Sequence, residues 1–392
     1  MSFPHQTIAI IGAGPAGLSL ARILAQNGIS STIYERDTSR NARPDQGGIL
    51  DLRPDGGQHA LHLAGLHPAF RALSRPEGDA TRIVDEHGVV HFDEAGPPAG
   101  ENGASDKPEI DRGQLRDLLL DSLAPDTVKW GHALVRVAPA PTEDHRWELE
   151  FAHGVMTVVD LVVGADGAWS RVRPVLSPAM PIYTGVTFVE FTLHDVDTHH
   201  PEVATLVGSG TMFAMGGEKG LIAQRSGKGN VRVYFALRVA QTWGSDCGIA
   251  WDGPGAAAAI EALLPGWADP LLALVRGSDT AFIPRPLFAL PTDLEWAPRH
   301  GVTLVGDAAH LMSPFAGEGA NLAMRDATDL AMAIVGERDV RRAVEVYEAA
   351  MYGRAHEAAR ESEENLEICM AADAPKGFVE VMKSHGPPPA HE

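Results

Sequence analysis

The sequence predicts an α/β fold in which a parallel, doubly wound sheet is interrupted by a second, mostly antiparallel sheet. Three short apolar runs, at 7–11, 161–163 and 302–305, are each followed by glycines and acidic residues, as expected for buried parallel strands. Between the second and third runs, residues 183–239 hold strand-like segments separated by glycine turns. A helical pattern from about 339 to 369 then predicts a long C-terminal helix.

The first apolar run leads into the glycine string Gly12-Ala13-Gly14-Pro15-Ala16-Gly17, a helical stretch, and a second strand that ends on Glu35. This order is the dinucleotide-binding fingerprint. Gly12 permits the tight turn, Gly14 lets a pyrophosphate approach the backbone, and Gly17 lets the helix pack on the strand. The helix N-terminus favours phosphate, and Glu35 can accept hydrogen bonds from a ribose. The string alone does not distinguish FAD from NAD, and an ordinary βαβ turn is the alternative.

Composition excludes several classes of function. The chain has 392 residues and a net charge of -20, which opposes binding to nucleic acid or an anionic membrane surface. It has no apolar run of about 18 residues and no charged-then-apolar leader. Cys247 and Cys369 match no metal-ligand spacing, and the 17 histidines are scattered. We therefore expect a cytoplasmic protein without a metal centre, a membrane span or a nucleic-acid partner.

Two further glycine-acid elements follow predicted strands of the same sheet. They are Gly164-Ala165-Asp166-Gly167 and Gly306-Asp307. Ligands of doubly wound sheets bind beyond the carboxyl ends of the strands. With the first motif, these elements could therefore follow an extended dinucleotide from its adenosine to its reactive ring.

A glycine pair and an arginine are further candidates for contact with a ligand. Gly47-Gly48 suggests backbone that passes close to a ligand, although a hairpin or surface loop is the alternative. Asp111 is a good N-cap for the helix that follows. Arg112 then falls in the first turn, where the helix dipole disfavours a cation, so it hints at an anionic ligand; a solvated surface arginine is the alternative.

In order and spacing, the three motifs resemble those of the single-component, class A flavoprotein monooxygenases, the para-hydroxybenzoate hydroxylase fold group. The resemblance covers nearly the whole chain. It implies a Rossmann-like FAD-binding domain at 1–75, 105–178 and 290–335, a substrate domain at 76–104 and 179–289, a bridging helix at 336–372 and a tail at 373–392. It also implies that Asp166-Gly167 serves FAD and NAD(P)H, that Asp307 binds the flavin ribitol, and that the next glycine turn directs a helix N-terminus at the flavin ring.

A more specific similarity, to the tetracycline-inactivating TetX-type monooxygenases, rests on five segments. These are Tyr34-Glu35-Arg36-Asp37, the 47–52 segment Gly-Gly-x-Leu-Asp-Leu, Gly57-Gln58, Asp111-Arg112-x-x-Leu115-Arg116, and 306–319. Ser313 and Glu318 depart from that type. The residues expected at the cofactor are Gly12, Gly14, Ala16, Gly17, Glu35, Arg36, Gly47, Gly48, Asp51, Arg112, Asp166, Gly167, Asp307, Pro314, Gly317, Glu318, Gly319, Ala320 and Asn321, with Arg43 matching the arginine assigned to NADPH.

The inserted sheet would carry the substrate contacts. By the same similarity, Glu190, Thr211 and Arg232 stand where polar residues engage tetracycline, and a flat polyketide, phenol or heteroaromatic compound remains open. Met215 and Phe315 could line the pocket, with ordinary core packing as the alternative.

The implied activity is FAD-dependent, NADPH-consuming monooxygenation, with NADH possible and the protein expected to be a monomer. After reaction with O2, the reduced flavin would transfer one oxygen atom to an electron-rich carbon, so no catalytic side chain is required. We expect a structural role for His310. The alternatives are a flavin-dependent halogenase or reductase of the same fold, or a flavin- or ligand-binding protein without turnover. The W-x-W-x-I-P segment of halogenases is absent.

Overall fold

A computed structural model describes residues 6–42, 47–97, 105–141, 145–337 and 339–385. The chain forms two compact units, each built from three segments. The first unit comprises Met1–Ser74, Ile110–Ile182 and Phe288–Ser362, and the second comprises Arg75–Glu109, Tyr183–Leu287 and Glu363–Glu392. The sequence predicted changes of domain after residues 75, 104, 178 and 289. The units change after 74, 109, 182 and 287, and a fifth time after 362.

Most of the strands lie between residues 81 and 238. They are β1 (Ile8–Ile11), β2 (Thr32–Tyr34), β3 (Ile49–Asp51), β4 (Thr81–Asp85), β5 (Val90–Glu94), β6 (Glu109–Asp111), β7 (Val128–Lys129), β8 (Leu134–Pro139), β9 (Trp147–Phe151), β10 (Met156–Val159), β11 (Leu161–Gly164), β12 (Ile182–Leu193), β13 (Thr211–Gly216), β14 (Lys219–Arg225), β15 (Val231–Arg238), β16 (Ile283–Ala289) and β17 (Val302–Leu304).

The helices dominate the C-terminal quarter. They are α1 (Pro15–Gln26), α2 (Gly57–Leu63), α3 (His67–Leu73), α4 (Arg112–Asp121), α5 (Val196–His199), α6 (Pro201–Val207), α7 (Trp243–Asp246), α8 (Ala256–Glu261), α9 (Asp269–Arg276), α10 (Asp307–His310), α11 (Gly319–Gly336), α12 (Val340–Cys369) and α13 (Lys376–His385). The helix predicted at 336–372 corresponds to α12, and the boundary between the units falls within it.

The first unit is organised by a five-stranded sheet in the order β17-β11-β1-β2-β7, with parallel pairing throughout. Every residue of β1, β11 and β17 is buried, which explains why these strands are apolar without alternation. The register aligns Ile11 with Gly164 and Gly164 with Leu304. The three glycine-acid motifs therefore leave the sheet side by side at its carboxyl edge, as predicted.

The second unit is organised by a seven-stranded sheet in the order β16-β12-β15-β14-β13-β4-β5. The pairings from β12 to β13 and that of β4 with β5 are antiparallel, whereas β13 and β4 are parallel. One face of this sheet belongs to a buried apolar cluster with α6, α8 and α9, which includes Val189, Leu221, Phe235, Ile260 and Leu271. The strand alternation places a second set of side chains on the opposite face.

The expectation of an irregular tail at 373–392 is wrong for part of that segment. Residues Lys376–His385 form α13, in which Phe378 and Val379 are buried. The Phe378 ring meets the Phe213 ring edge-on with centroids 5.1 Å apart. These few apolar residues are enough for a helix because a sheet face is present to bury them, and that partner is invisible in the local sequence.

Candidate functional site

The glycine string has the geometry that its spacing predicts. Gly12 adopts a φ of +107°, and a Cβ on it would lie 2.4 Å from the Ala165 carbonyl oxygen. A Cβ on Gly17 would lie 2.2 Å from the carbonyl oxygen of Gly12. Around Gly14, in contrast, an added Cβ meets no described atom within 4 Å. The fold therefore requires Gly12 and Gly17, whereas Gly14 borders open space at the N-terminus of α1, next to Ala16 in its first turn.

Glu35 fastens this loop to the end of β2. Its side chain is buried, Oε2 accepts a 2.7 Å hydrogen bond from the Ala13 N–H, and Oε1 accepts one of 2.9 Å from Asp37. Each carboxylate oxygen can accept a further hydrogen bond. The neighbouring Arg36 is exposed. Arg43, the arginine matched to NADPH, lies outside the described residues.

The Asp166-Gly167 turn is held by its own side chains. Asp166 Oδ2 accepts a 2.6 Å hydrogen bond from the Arg171 N–H, and Gly167 has a φ of +77°. Burial raises the pKa of Asp166. Its other oxygen, Oδ1, is buried and has no hydrogen-bond partner among the described residues. That oxygen therefore has unused hydrogen-bond acceptor capacity, which is uncommon for a buried atom.

Arg173 is a residue of this region that sequence reasoning missed. Its buried guanidinium donates hydrogen bonds to the carbonyl oxygens of Ala168 at 2.6 Å, Ala308 at 3.0 Å and Ala179 at 3.1 Å. Burial lowers its pKa. Arg173 thus ties the turn after β11 to helix α10. The available signal was a single arginine in the otherwise apolar 172–176 stretch.

Helix α10 begins at Asp307, directly after β17, and the Asp307 side chain is exposed at the sheet edge. Behind it, the buried Asp326 accepts a 2.9 Å hydrogen bond from the Gly306 N–H and a 2.5 Å contact from His310 Nε2. Burial lowers the pKa of His310, but the Asp326 carboxylate outweighs this, so the pKa lies above its ordinary value. The geometry fits the structural role expected for His310.

The segment before α11 presents a helix N-terminus. A short 3-10 turn, Pro314–Ala316, contains the half-buried Phe315, and Gly317 adopts a φ of +67°. Helix α11 then runs 18 residues from Gly319, with Ala320 in its first turn. A Cβ on Gly317 would lie 3.9 Å from Asp51 Oδ2, so Asp51 borders this turn.

Asn321 and Glu318 have partners within the first unit. Asn321 Oδ1 accepts hydrogen bonds from Arg53 N at 2.8 Å and Gly57 N at 3.1 Å, and Nδ2 donates to the Asp51 carbonyl at 2.8 Å. Glu318 forms an ion pair with Arg53. The Asn321 side chain therefore fastens loop 51–57 to α11.

Arg112 and Gly47 are in direct contact. A Cβ on Gly47 would lie 2.3 Å from Arg112 Cδ, and the Arg112 N–H donates to the Gly48 carbonyl at 3.1 Å. The guanidinium is exposed and has no ion pair with any of the described residues. An unpaired cation beside a glycine-lined backbone favours the anionic-ligand interpretation over the hairpin and the surface arginine.

The candidate substrate residues of the second unit share one face of its sheet. Thr211 pairs with Gln224, and Gln224 pairs with Arg232. Arg232 pairs in turn with Thr192 of β12, and Glu190, two residues before Thr192, lies on the same face. Met215 lies on the same face of β13 and is 1% exposed. This is the face opposite the apolar cluster. Phe315 belongs to the first unit.

The residues described exclude two kinds of feature. None of the helices within them is long and apolar enough to cross a membrane. The same ranges contain no group of three or more His, Cys, Asp or Glu side chains arranged to hold a metal ion.

The residues at the carboxyl edge fit FAD. Gly14 leaves room for a pyrophosphate, and Glu35 retains acceptor capacity for ribose. The exposed Asp307 follows β17, and the N-terminus of α11 comes after it in the chain.

Similarity to known proteins indicates the same cofactor. Residues 5–93 and 297–361 match the FAD binding domain family. Monooxygenase asqM of Emericella nidulans is 30% identical over 96% of this chain and 98% of its own.

The chain belongs to the FAD-dependent monooxygenases. Another relative of this monooxygenase is the 3-amino-4-hydroxybenzoate 2-monooxygenase PtmB3 of Streptomyces platensis, 29% identical over 94% of this chain and 90% of that protein. Among solved structures, Klebsiella pneumoniae HpxO with FAD and uric acid gives a TM-score of 0.80 at 21% identity, covering 98% of this chain and 94% of HpxO. Tetracycline destructase Tet(51) gives 0.69 at 20% identity, covering 97% and 95%. These structures share the fold, which confirms the predicted α/β class with its inserted sheet.

Proposed function

We propose that this monooxygenase consumes NADPH or NADH and inserts one oxygen atom from O2 into a planar aromatic or polyketide-like small molecule, acting as a cytoplasmic monomer. The observation that carries the proposal is the register that places all three glycine-acid motifs at one sheet edge. The names of relatives support the substrate class, because PtmB3 is named for an aminohydroxybenzoate and HpxO was solved with uric acid.

Each of the cofactor residues is assigned to a different part of the FAD molecule. Glu35 accepts hydrogen bonds from the adenosine ribose, Arg112 neutralises a phosphate, and Asp307 accepts from the ribityl chain. The N–H groups at the start of α11 stabilise negative charge on the reduced ring. FAD, once bound, supplies the redox and oxygen chemistry.

The remaining proposals concern the two other ligands. Asp166-Gly167 and Arg43 serve the nicotinamide cofactor. The second-unit residues Thr211 and Met215 line the substrate site. Their task is to orient the substrate and exclude water, because the chemistry requires no side-chain nucleophile.

Asp307→Ala tests the ribityl contact. The Asp307 carboxylate is exposed and has no ion pair with any described residue, so the stability of the flavin-free protein should not change. Loss of a charge-assisted hydrogen bond, about 1.5–3 kcal/mol, should weaken FAD binding about 10- to 100-fold in a fluorescence titration. Asp269→Ala, which removes an exposed carboxylate from the second unit, should bind FAD like the unmodified protein. Equal affinities in all three proteins would remove Asp307 from the site.

The activity is tested by NADPH and NADH oxidation in air with FAD-loaded protein. The panel contains tetracyclines, quinolones, polycyclic phenols and hydroxybenzoates. We expect one class to accelerate oxidation and to yield a product heavier by one oxygen atom. Bound FAD with no acceleration by any class, and no oxygenated product, would contradict the proposal and favour a flavin-binding protein without turnover.

A further inference from the structure

The second face of the seven-stranded sheet carries an unusual charge arrangement. Glu190 on β12 uses both carboxylate oxygens on arginines: Oε1 pairs with Arg232 of β15, and Oε2 accepts a 3.2 Å hydrogen bond from Arg285 Nε of β16. The Glu190 and Arg232 side chains are 17% and 18% exposed, whereas Arg285 is 57% exposed. We call these three residues the arginine bridge.

The arginine bridge has one uncompensated positive charge. On this face of the strands from β16 to β13, the only other charged side chain is Arg238, which pairs with Glu367 at 2.8 Å. One carboxylate therefore serves two guanidinium groups, and no other carboxylate on these strands balances the second. In a chain of net charge -20, this is a local site of opposite sign. Such a site can hold an anion by direct contact at short range, where the local charges outweigh the screened charge of the rest of the chain.

Arg285 is the member able to bind an incoming group. Only its Nε is engaged, so both terminal nitrogens remain open for a bidentate contact, and Arg285 has no other partner in the described part of the chain. A planar guanidinium fork matches a carboxylate or a paired oxyanion. Beside the bridge, Tyr234 is the register partner of Glu190, and the Tyr234 and Phe188 rings lie 5.5 Å apart. The two rings are tilted by 40°, Phe188 is buried and Tyr234 is half-buried, so the Tyr234 ring is the aromatic group that adjoins the cation.

We propose that the arginine bridge selects substrates carrying an ionised acidic group, such as an aromatic carboxylate, with Arg285 as the residue that contacts it. This inference rests on the proposed function, because it assigns the substrate class of the same enzyme. Glu190 holds both arginines in place and weakens their attraction for neutral oxygen groups. A neutral compound gains nothing from the surplus charge, whereas an acid of the same shape does.

The test compares 3-amino-4-hydroxybenzoate with 3-amino-4-hydroxybenzamide, and 4-hydroxybenzoate with 4-hydroxybenzamide, by calorimetric binding to the FAD-loaded protein. We expect each acid to bind at least about 10-fold more tightly than its amide, as for one charge-assisted contact. Arg285→Gln should abolish that preference while FAD affinity and thermal stability stay unchanged. Glu190→Gln should strengthen acid binding, because it removes the competing carboxylate.

Arg276→Gln is the control, since Arg276 is likewise an exposed, ion-paired arginine of the second unit, but it lies on α9 and has two carboxylate partners, Glu261 and Asp269. It should retain the preference. Equal binding of acid and amide, including no detectable binding of either, would overturn the proposal, as would a preference that survives Arg285→Gln. Because calorimetry needs no turnover, an acid preference without NADPH oxidation would overturn only the proposed function.

Discussion

Gly12→Ala is expected to destabilise the first unit by about 3–5 kcal/mol, a large part of the stability of a typical domain. The new Cβ would lie 2.4 Å from a backbone oxygen of β11's next residue, Ala165, at a φ of +107° that L-residues rarely adopt. Neither the loop nor the strand can move without breaking the parallel pairing of β1 with β11. Urea denaturation of the flavin-free protein measures the effect.

Gly14→Ala separates folding from binding at the same loop. Gly14 has a φ of -83°, which alanine adopts freely, and its Cβ would meet no described atom. We expect a change in stability within about 1 kcal/mol and FAD affinity reduced about 10- to 100-fold, since the methyl group occupies the approach of the pyrophosphate. Unimpaired FAD binding by Gly14→Ala, or an unchanged unfolding free energy for Gly12→Ala, would contradict this division of roles.

Asp326→Asn is expected to cost about 3–5 kcal/mol, because it removes the charge that compensates a buried histidine. Asp326 is 1% exposed and contacts both the Gly306 N–H and His310 Nε2. Arg354 Nη2 lies 3.6 Å from its other oxygen. With asparagine in its place, burial is opposed only by the weaker effects of Asp307 and a backbone hydrogen bond, so the pKa of the imidazole should be lower than in the unmodified protein. The turn that positions Asp307 would loosen as a result.

The pH dependence of the unfolding free energy tests the role of the His310–Asp326 pair. A pKa of His310 above the unfolded value contributes stability that is complete below about pH 6.5 and is lost as pH rises through the folded pKa. Unfolding free energies measured upward from pH 6 should therefore decline, and Asp326→Asn should remove that decline. Asp329→Asn, one turn along α11 and 22% exposed, should cost less than about 1 kcal/mol and preserve it. An unaltered slope in Asp326→Asn would assign the titration to another group.

The local sequence predicted those parts of the site that depend on neighbouring residues. Gly12, Gly17 and Glu35 belong to one strand-turn-helix-strand pattern, so their spacing reveals their geometry. Arg173 could not be assigned in this way, because its acceptor Ala308 is 135 residues away. The partners Glu190 and Arg285 are 95 residues apart, and only the strand order brings them together.

Charge also limited prediction from the sequence. The overall charge of -20 argued against nucleic acid and an anionic membrane surface, but it could not reveal the local surplus around Arg285, because a composition average conceals it. Helix α13 was missed for a related reason, because its buried residue Phe378 is paired with Phe213 in a distant strand. In each case the deciding contact joins segments that are remote in the chain.

The order of strands in the first sheet has a consequence for synthesis on the ribosome. Strand β1 leaves the ribosome early, but its partner β11 is complete only at Gly164. Strand β17, which pairs with the other edge of β11, is complete only at Leu304. At about 5–20 residues per second, the nascent chain carries the open edge of β11 for roughly 7–28 s. An unpaired apolar strand edge invites association with other chains. Slower growth at low temperature, or a chaperone that covers this edge until residue 304 emerges, should therefore raise the yield of folded enzyme.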